Sequence, residues 1–493
     1  MAEENTLNNE EYDAVVLGTG LVESIVASDI AAAEKKVLHI DRNPFYGGDY
    51  ASFSLIGFIE WATRLRDRSQ VPVVDIAIGD VEMQLGARKS GEVSANNLLP
   101  ETAQGSCQVG EILAMLSEYL SSEQLEQLSN SDVLKRLAGE SRRYALELAP
   151  KLTFCRGPLI DVLIAAGMAE YMEFKGVDAN LLVTDAGVER VPDSKEEVFA
   201  STALKLIEKR KLMRLLTTIS DPEQVSKLTS EHGNEDFGDL LRKQFKLDGS
   251  LLNAVLYAVA RATRPISVSE GCARVEKYLK SIGRYGRMAF LSSMYGSGAE
   301  VAQAFCRSCA VAGGTYILSE SIKQIEKTES GYVVELSHGR VTTKSLIMHP
   351  SYLSDATESE TEVPIARRFT VLDFPALGED TTSMLSFVEG SHVVSMLYLT
   401  SATMVVPKGK SLMYAWTEGR YSQSKELLDR AIDSAVGDKA HRMLSVGFEC
   451  RALAPRGGYT CTPGMADESV DLDSAVQAAQ QILDAFFGSG SNE

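Results

Sequence analysis

Residues 12–41 constrain this chain more than any other stretch. The segment YDAVVLGTG (Tyr12–Gly20) reads as a buried strand running into a glycine turn. Leu21–Glu34 follows as a helix rich in Ala and Ile, and KKVLHID (Lys35–Asp41) reads as a second strand. Strand, helix and strand in so short a span form a βαβ unit, which implies a parallel sheet and a right-handed crossover. The fold class is therefore α/β.

The turn begins like the dinucleotide fingerprint G-x-G-x-x-G. Gly18 and Gly20 occupy the first two positions, and Asp41 lies near where a ribose-binding acid belongs. The third position is Glu23, where glycine or alanine would let helix and strand pack closely. A carboxylate there would face a dianion, and at ~4 Å with an effective dielectric near 20 each like-charge pair costs about 4 kcal/mol. A helix N-terminus returns only about 0.3–1 kcal/mol. A flavin or NAD site is one reading; an inherited nucleotide-type fold with its cofactor site closed by Glu23 is the favoured one. Glu23 can also stabilise its own helix start.

Along the rest of the chain, residues 71–106 lose periodicity and read as a flexible, poorly ordered insertion. Helical patterning spans Val109–Leu120 and Arg156–Met172, and a strand-like passage covers Asn180–Val191. Lys195–Ile219 reads as one long helix, followed by an acidic linker and further helical segments to Arg264. From Thr315 onward β character dominates, and Leu472–Phe487 closes the chain as an amphipathic helix with Leu472, Val476, Ala479, Leu483 and Phe486 on one face. The expected architecture is an α/β body, 1–194 with 266–493, combining a parallel βαβ sheet with an added antiparallel sheet. An all-helical domain, 195–265, is inserted into it.

Composition removes several function classes. Of 493 residues, 49 are Lys or Arg against 68 Asp or Glu, for a net charge of −19, with no long basic run. Nucleic acid and anionic membranes are poor partners for such a chain. No secretory signal, prenylation box or membrane span is visible, so a cytosolic protein is expected. Seven cysteines do not suggest a disulfide framework. Cys306 and Cys309 form a CxxC in a helical stretch, but no second ligand pair accompanies it, so no metal is expected and core packing is favoured. No G-x-S-x-G elbow nominates a nucleophile.

Two polar patterns stand out. Glu300, Gln303 and Arg307, at i, i+3 and i+7, present an acid, an amide and an arginine on one helix face. Phe199 and Arg210 lie eleven residues apart; at ~100° each this is about 20° past three turns, so one continuous helix would point both the same way, about 16 Å apart. Aromatics and arginines are enriched at binding hot spots. The alternative for Phe199 is a place in the core beside Leu206.

The run Asp41-Arg42-Asn43-Pro44-Phe45-Tyr46-Gly47-Gly48 resembles the arginine and double-glycine element of flavoprotein oxidases. Together with GTGLVE it is similar to the first conserved region of the Rab GDP-dissociation inhibitor and Rab escort protein superfamily, whose fold is flavoprotein-like but is not known to use flavin. RYG (Arg284–Gly286), Glu300-x-x-Gln303-x-x-x-Arg307 and Gly313-Gly314-Thr315-Tyr316 follow in that family's order. The resemblance covers roughly two-thirds of the chain. It implies no cofactor and no catalytic residues. It also implies a platform for GDP-bound Rab GTPases at Tyr46, Glu300, Gln303, Arg307 and Thr315. Gly298-Ala299-Glu300 departs from the family's usual form by one residue before Glu300.

About 95 residues separate Gly48 from Arg143, and PDSKEEVF (Pro192–Phe199) precedes EKRKLM (Glu208–Met213). Both features resemble the escort branch, in which the residues matching Phe199 and Arg210 contact the Rab geranylgeranyl transferase. The implied function is an accessory subunit that binds unprenylated and prenylated Rabs, presents them for prenylation, shields the geranylgeranyl lipid and delivers them to membranes by transient contact. The alternatives are a Rab GDP-dissociation inhibitor and, from another class, a flavin-dependent oxidoreductase.

Overall fold

The strand Leu7–Leu17 lies between two parallel neighbours, Val37–Ile40 and Gly339–Met348. Thr315–Ile317 extends the parallel part beyond Val37–Ile40, and Gly331–Leu336 and Ile322–Thr328 continue the sheet antiparallel on the other side. Ala14 and Val16 face one apolar layer while Tyr12, Val15 and Leu17 face another, which is why the strand reads as an unbroken apolar run. Three helices, Leu21–Ala32, Gly298–Val311 and Asp473–Gly488, share the first layer. The closing helix buries Leu472, Val476, Ala479 and Leu483 as its periodicity requires. The computed structural model describes residues 7–64, 74–84, 107–184, 187–192, 195–201, 204–353, 356–437, 442–454, 458–464 and 467–488.

A second sheet of nine strands is mostly antiparallel and runs from the hairpin Ala179–Thr184/Gly187–Arg190 to Val81–Gln84. Its end corrects the expectation for 71–106. Val74–Ile78 pairs with Arg442–Cys450 and turns into Val81–Gln84, so Ile76, Ile78, Val81 and Met83 are buried. Alternation too short to stand out alone becomes a strand pair once a sheet edge is present. Residues 71–73 and 85–106 lie outside the described residues.

Two helical expectations are also corrected. The helix after Arg156 is Pro158–Ala165 and ends where the chain turns left-handed at Gly167, φ 68°. Lys195–Ile219 is two helices, Lys195–Ala200 and Leu206–Ile219. The second starts at Lys205, whose N–H donates to the Glu208 carboxylate at 2.7 Å, a local stop that the helical period does not reveal. Further helices, Pro222–His232 and Val268–Ser281, pack with Leu206–Ile219, so the helical packing continues past residue 265.

Candidate functional site

The nucleotide-type turn sits at the carboxyl end of the first strand, bordering a cavity of about 330 Å³. Gly20 starts the helix, and a Cβ placed there would collide with Glu23 Oε2. The carboxylate of Glu23 therefore already rests against Gly20, where a phosphate would have to approach. Glu23 is 3% exposed and accepts the Thr462 hydroxyl. Burial raises its pKa, with His349 and Thr462 opposing. His349 stands 3.3 Å from Asp49. Burial alone would lower the imidazole, but Asp49 and Glu23 outweigh it and hold it above its ordinary range.

Asp41 is equally committed. It accepts the Thr19 N–H at 2.8 Å, the Thr19 hydroxyl at 2.6 Å, the Asn43 N–H at 2.8 Å and the Tyr352 hydroxyl at 3.2 Å. Of the arginines lining the cavity, Arg42 donates to Ser351 and stacks on Tyr352, and Arg451 is paired with Glu358 and Glu449. A dinucleotide does not fit these residues: its phosphate would meet the Glu23 carboxyl at Gly20, its ribose acid is bonded to the protein, and both arginines are taken. The CxxC thiols are packed inside; Cys306 Sγ is 3.2 Å from Ser24 Oγ, and burial pushes Cys306 and Cys309 up to about 11 and about 12. Among the described residues no cluster of three or more His, Cys, Asp or Glu could hold a metal.

The other sequence candidates lie on helix Gly298–Val311, in the loop at Tyr46 and on the strand Thr315–Ile317. Helix Gly298–Val311 buries Val301, Ala302, Phe305, Cys306 and Cys309, which leaves Gln303 and Arg307 exposed and Glu300 half-buried on the opposite face. None of these three makes a hydrogen bond or ion pair among the described residues, and burial raises the Glu300 pKa. Arg307 holds its guanidinium 4.6 Å from the centre of the Tyr171 ring. Tyr46 stacks on Tyr316, centroids 5.5 Å apart and planes 12° apart, and exposed Thr315 is the neighbour of that ring in sequence. Gly47 approaches the helix start so closely that a Cβ there would lie 3.4 Å from Ala299 Cα. The Tyr46 loop and the helix bearing Glu300, Gln303 and Arg307 thus adjoin through Gly47 and Ala299, while Thr315, on the edge strand, interacts with Tyr12. Tyr316, which closes the Gly313-Gly314-Thr315-Tyr316 run, is given a place on this surface by its stack with Tyr46.

Phe199 and Arg210 are both exposed, Phe199 at 67%. They stand on two helices rather than one, so the single-helix angle of about 20° does not apply. The helices are tied by Lys209, whose ammonium donates to the Phe199 carbonyl at 2.8 Å. Leu206 and Ile207, at the start of the second helix, are exposed too. Phe199 therefore has no place in the core beside Leu206. An amphipathic count over one long helix could not have found Leu206 and Ile207 as surface residues.

The model of the GDP dissociation inhibitor family matches residues 8–71 and 117–413. The chain is 28% identical to Rab proteins geranylgeranyltransferase component A 1 of Rattus norvegicus, over 82% of this chain and 76% of that one. It is 31% identical to the Caenorhabditis elegans protein of the same name, over 73% and 69%. The RAB GDI structure from Plasmodium falciparum superposes with a TM-score of 0.69 at 18% identity, covering 98% of this chain and 99% of that one, which shows a shared, flavoprotein-like fold.

Proposed function

Since this chain is a member of the GDP dissociation inhibitor family, we propose that it works as a Rab escort protein, the accessory component of a Rab geranylgeranyl transferase. It binds GDP-bound Rab through Tyr46, Glu300, Gln303, Arg307 and Thr315 and docks the transferase through Phe199 and Arg210. It has no catalytic residues of its own; the chemistry belongs to the transferase. It shelters the geranylgeranyl chain of the product. Release of the product involves transient membrane contact from the cytosol, and among the described residues no helix is long and apolar enough to cross a membrane.

The observation that carries the escort reading is the exposure of Phe199, with Leu206 and Ile207 beside it. Three large apolar side chains in water on adjoining helix ends cost solvation unless a partner covers them. The inhibitor reading gives that patch no occupant. The deciding experiment adds the purified chain to transferase, geranylgeranyl diphosphate and GDP-loaded Rab. Prenylation that depends on the chain supports the escort role; Rab binding without support of prenylation would leave the inhibitor.

A further inference from the structure

We infer that Tyr171 is a positioning residue for Arg307, acting on the GTPase through that arginine; the inference rests on the platform proposed above. Tyr171 is 58% exposed, yet its ring lies flat against the one strong donor group of the platform, 4.6 Å from the Arg307 guanidinium. Contacts of a cation with a ring are common in folded chains. Lys36 and Lys277 also sit over rings here, but each is held by a carboxylate as well. Arg307 has no such partner among the described residues, so the ring is what holds it.

The placement is built in from below. After helix Pro158–Ala165 the chain turns at Gly167, and the short turn Met168–Glu170 presents Tyr171 outward. Met168 is buried in the same apolar layer that receives Val301, Ala302 and Phe305 from the helix bearing Arg307. Both partners therefore stand on one core, which fixes their separation. A free arginine gives up rotamer freedom when it binds; one already laid on a ring gives up less, and the guanidinium edge stays free for a bidentate carboxylate. The partner chemistry implied is a GTPase surface with an acidic side chain opposite Arg307.

The test is titration of GDP-loaded Rab against variants of the full chain. Tyr171→Ala and Tyr171→Leu are expected to weaken binding about three- to tenfold, while Tyr171→Phe, which keeps the ring face, stays within about twofold of wild type. In the Arg307→Ala background, Tyr171→Ala should change affinity less than about 1.5-fold, because the group it positions is gone. Melting temperatures measured alongside separate these losses from misfolding, and Leu keeps the bulk should Ala unsettle the turn. Equal losses for the Phe and Ala variants, or an undiminished loss in the Arg307→Ala background, would overturn the inference. So would an unchanged Tyr171→Ala where Arg307→Ala alone binds poorly. If Arg307→Ala itself binds normally, the platform reading falls and this inference with it.

Discussion

The Glu147 carboxylate, 1% exposed, accepts the Ser297 N–H at 2.6 Å and so anchors the start of the helix that carries Glu300, Gln303 and Arg307. The Ser297 hydroxyl also bonds to it and accepts the Lys151 N–H at 2.8 Å. The Tyr414 hydroxyl takes the Glu147 N–H at 3.0 Å. Nothing in the sequence around Glu147 marks this role, since Ser297 lies 150 positions away and Tyr414 267.

Burial raises Glu147 from 4.5 to about 7, against the bonds from Ser297 and Gly298 and with the nearby Glu300 charge. Between those values the folded chain holds a proton that the unfolded chain has released. The contribution to stability is therefore whole below the unfolded value and is lost as pH rises through the folded one. Glu147→Gln cannot ionise. Its stability relative to wild type is expected to climb across that window by up to about 3 kcal/mol. Denaturant titrations of both proteins at several pH values check this, and a difference that does not vary with pH would refute it.

Arg307→Ala and Tyr46→Ala are each expected to weaken Rab binding by about 1–3 kcal/mol with little change in melting temperature. Arg307 is solvent-facing and makes no ion pair among the described residues, so its loss opens no cavity. Tyr46 leaves the Tyr316 stack, a contact of about 0.5–1.5 kcal/mol. Calorimetry on both variants decides the matter; two wild-type affinities would remove the platform.

Phe199→Ala should cost the fold less than about 1 kcal/mol, because a side chain in water supports little packing. Transferase binding should fall by about 2–4 kcal/mol while Rab binding persists. The variant then binds Rab yet does not support its prenylation. A melt several degrees early with intact transferase affinity would contradict the exposure of this ring.

Purified protein is expected to be colourless, since Glu23 lies against Gly20 and Asp41 is fully bonded. Glu23→Ala should lower stability by about 1–3 kcal/mol through the lost bond from Thr462 and the space left behind. It should still bind no flavin, because Thr19 and Asn43 keep hold of Asp41. A stoichiometric flavin released on denaturing either protein would favour the oxidoreductase.

Local patterns settled the parts of this molecule in which neighbours in sequence are neighbours in space. The apolar run Tyr12–Leu17, its glycine turn and the helix after it identify the parallel sheet, and Val301, Phe305 and Cys309 imply the outward face at Glu300, Gln303 and Arg307. Glu23 announced the conflict with a phosphate because it stands one helical turn from Gly20. Tertiary structure alone decided what depends on distant partners. A sheet edge at Arg442–Cys450 turned Val74–Gln84 into strands, and Thr19 and Tyr352 took up Asp41. The break between Lys195–Ala200 and Leu206–Ile219, closed locally by the Lys205 N–H on Glu208, is legible in neither period nor spacing, and it leaves Leu206 and Ile207 in water. The reason is physical: periodicity records which side of an element is apolar, whereas hydrogen bonds, ring stacks and sheet pairing between remote segments are made only once the chain has closed on itself.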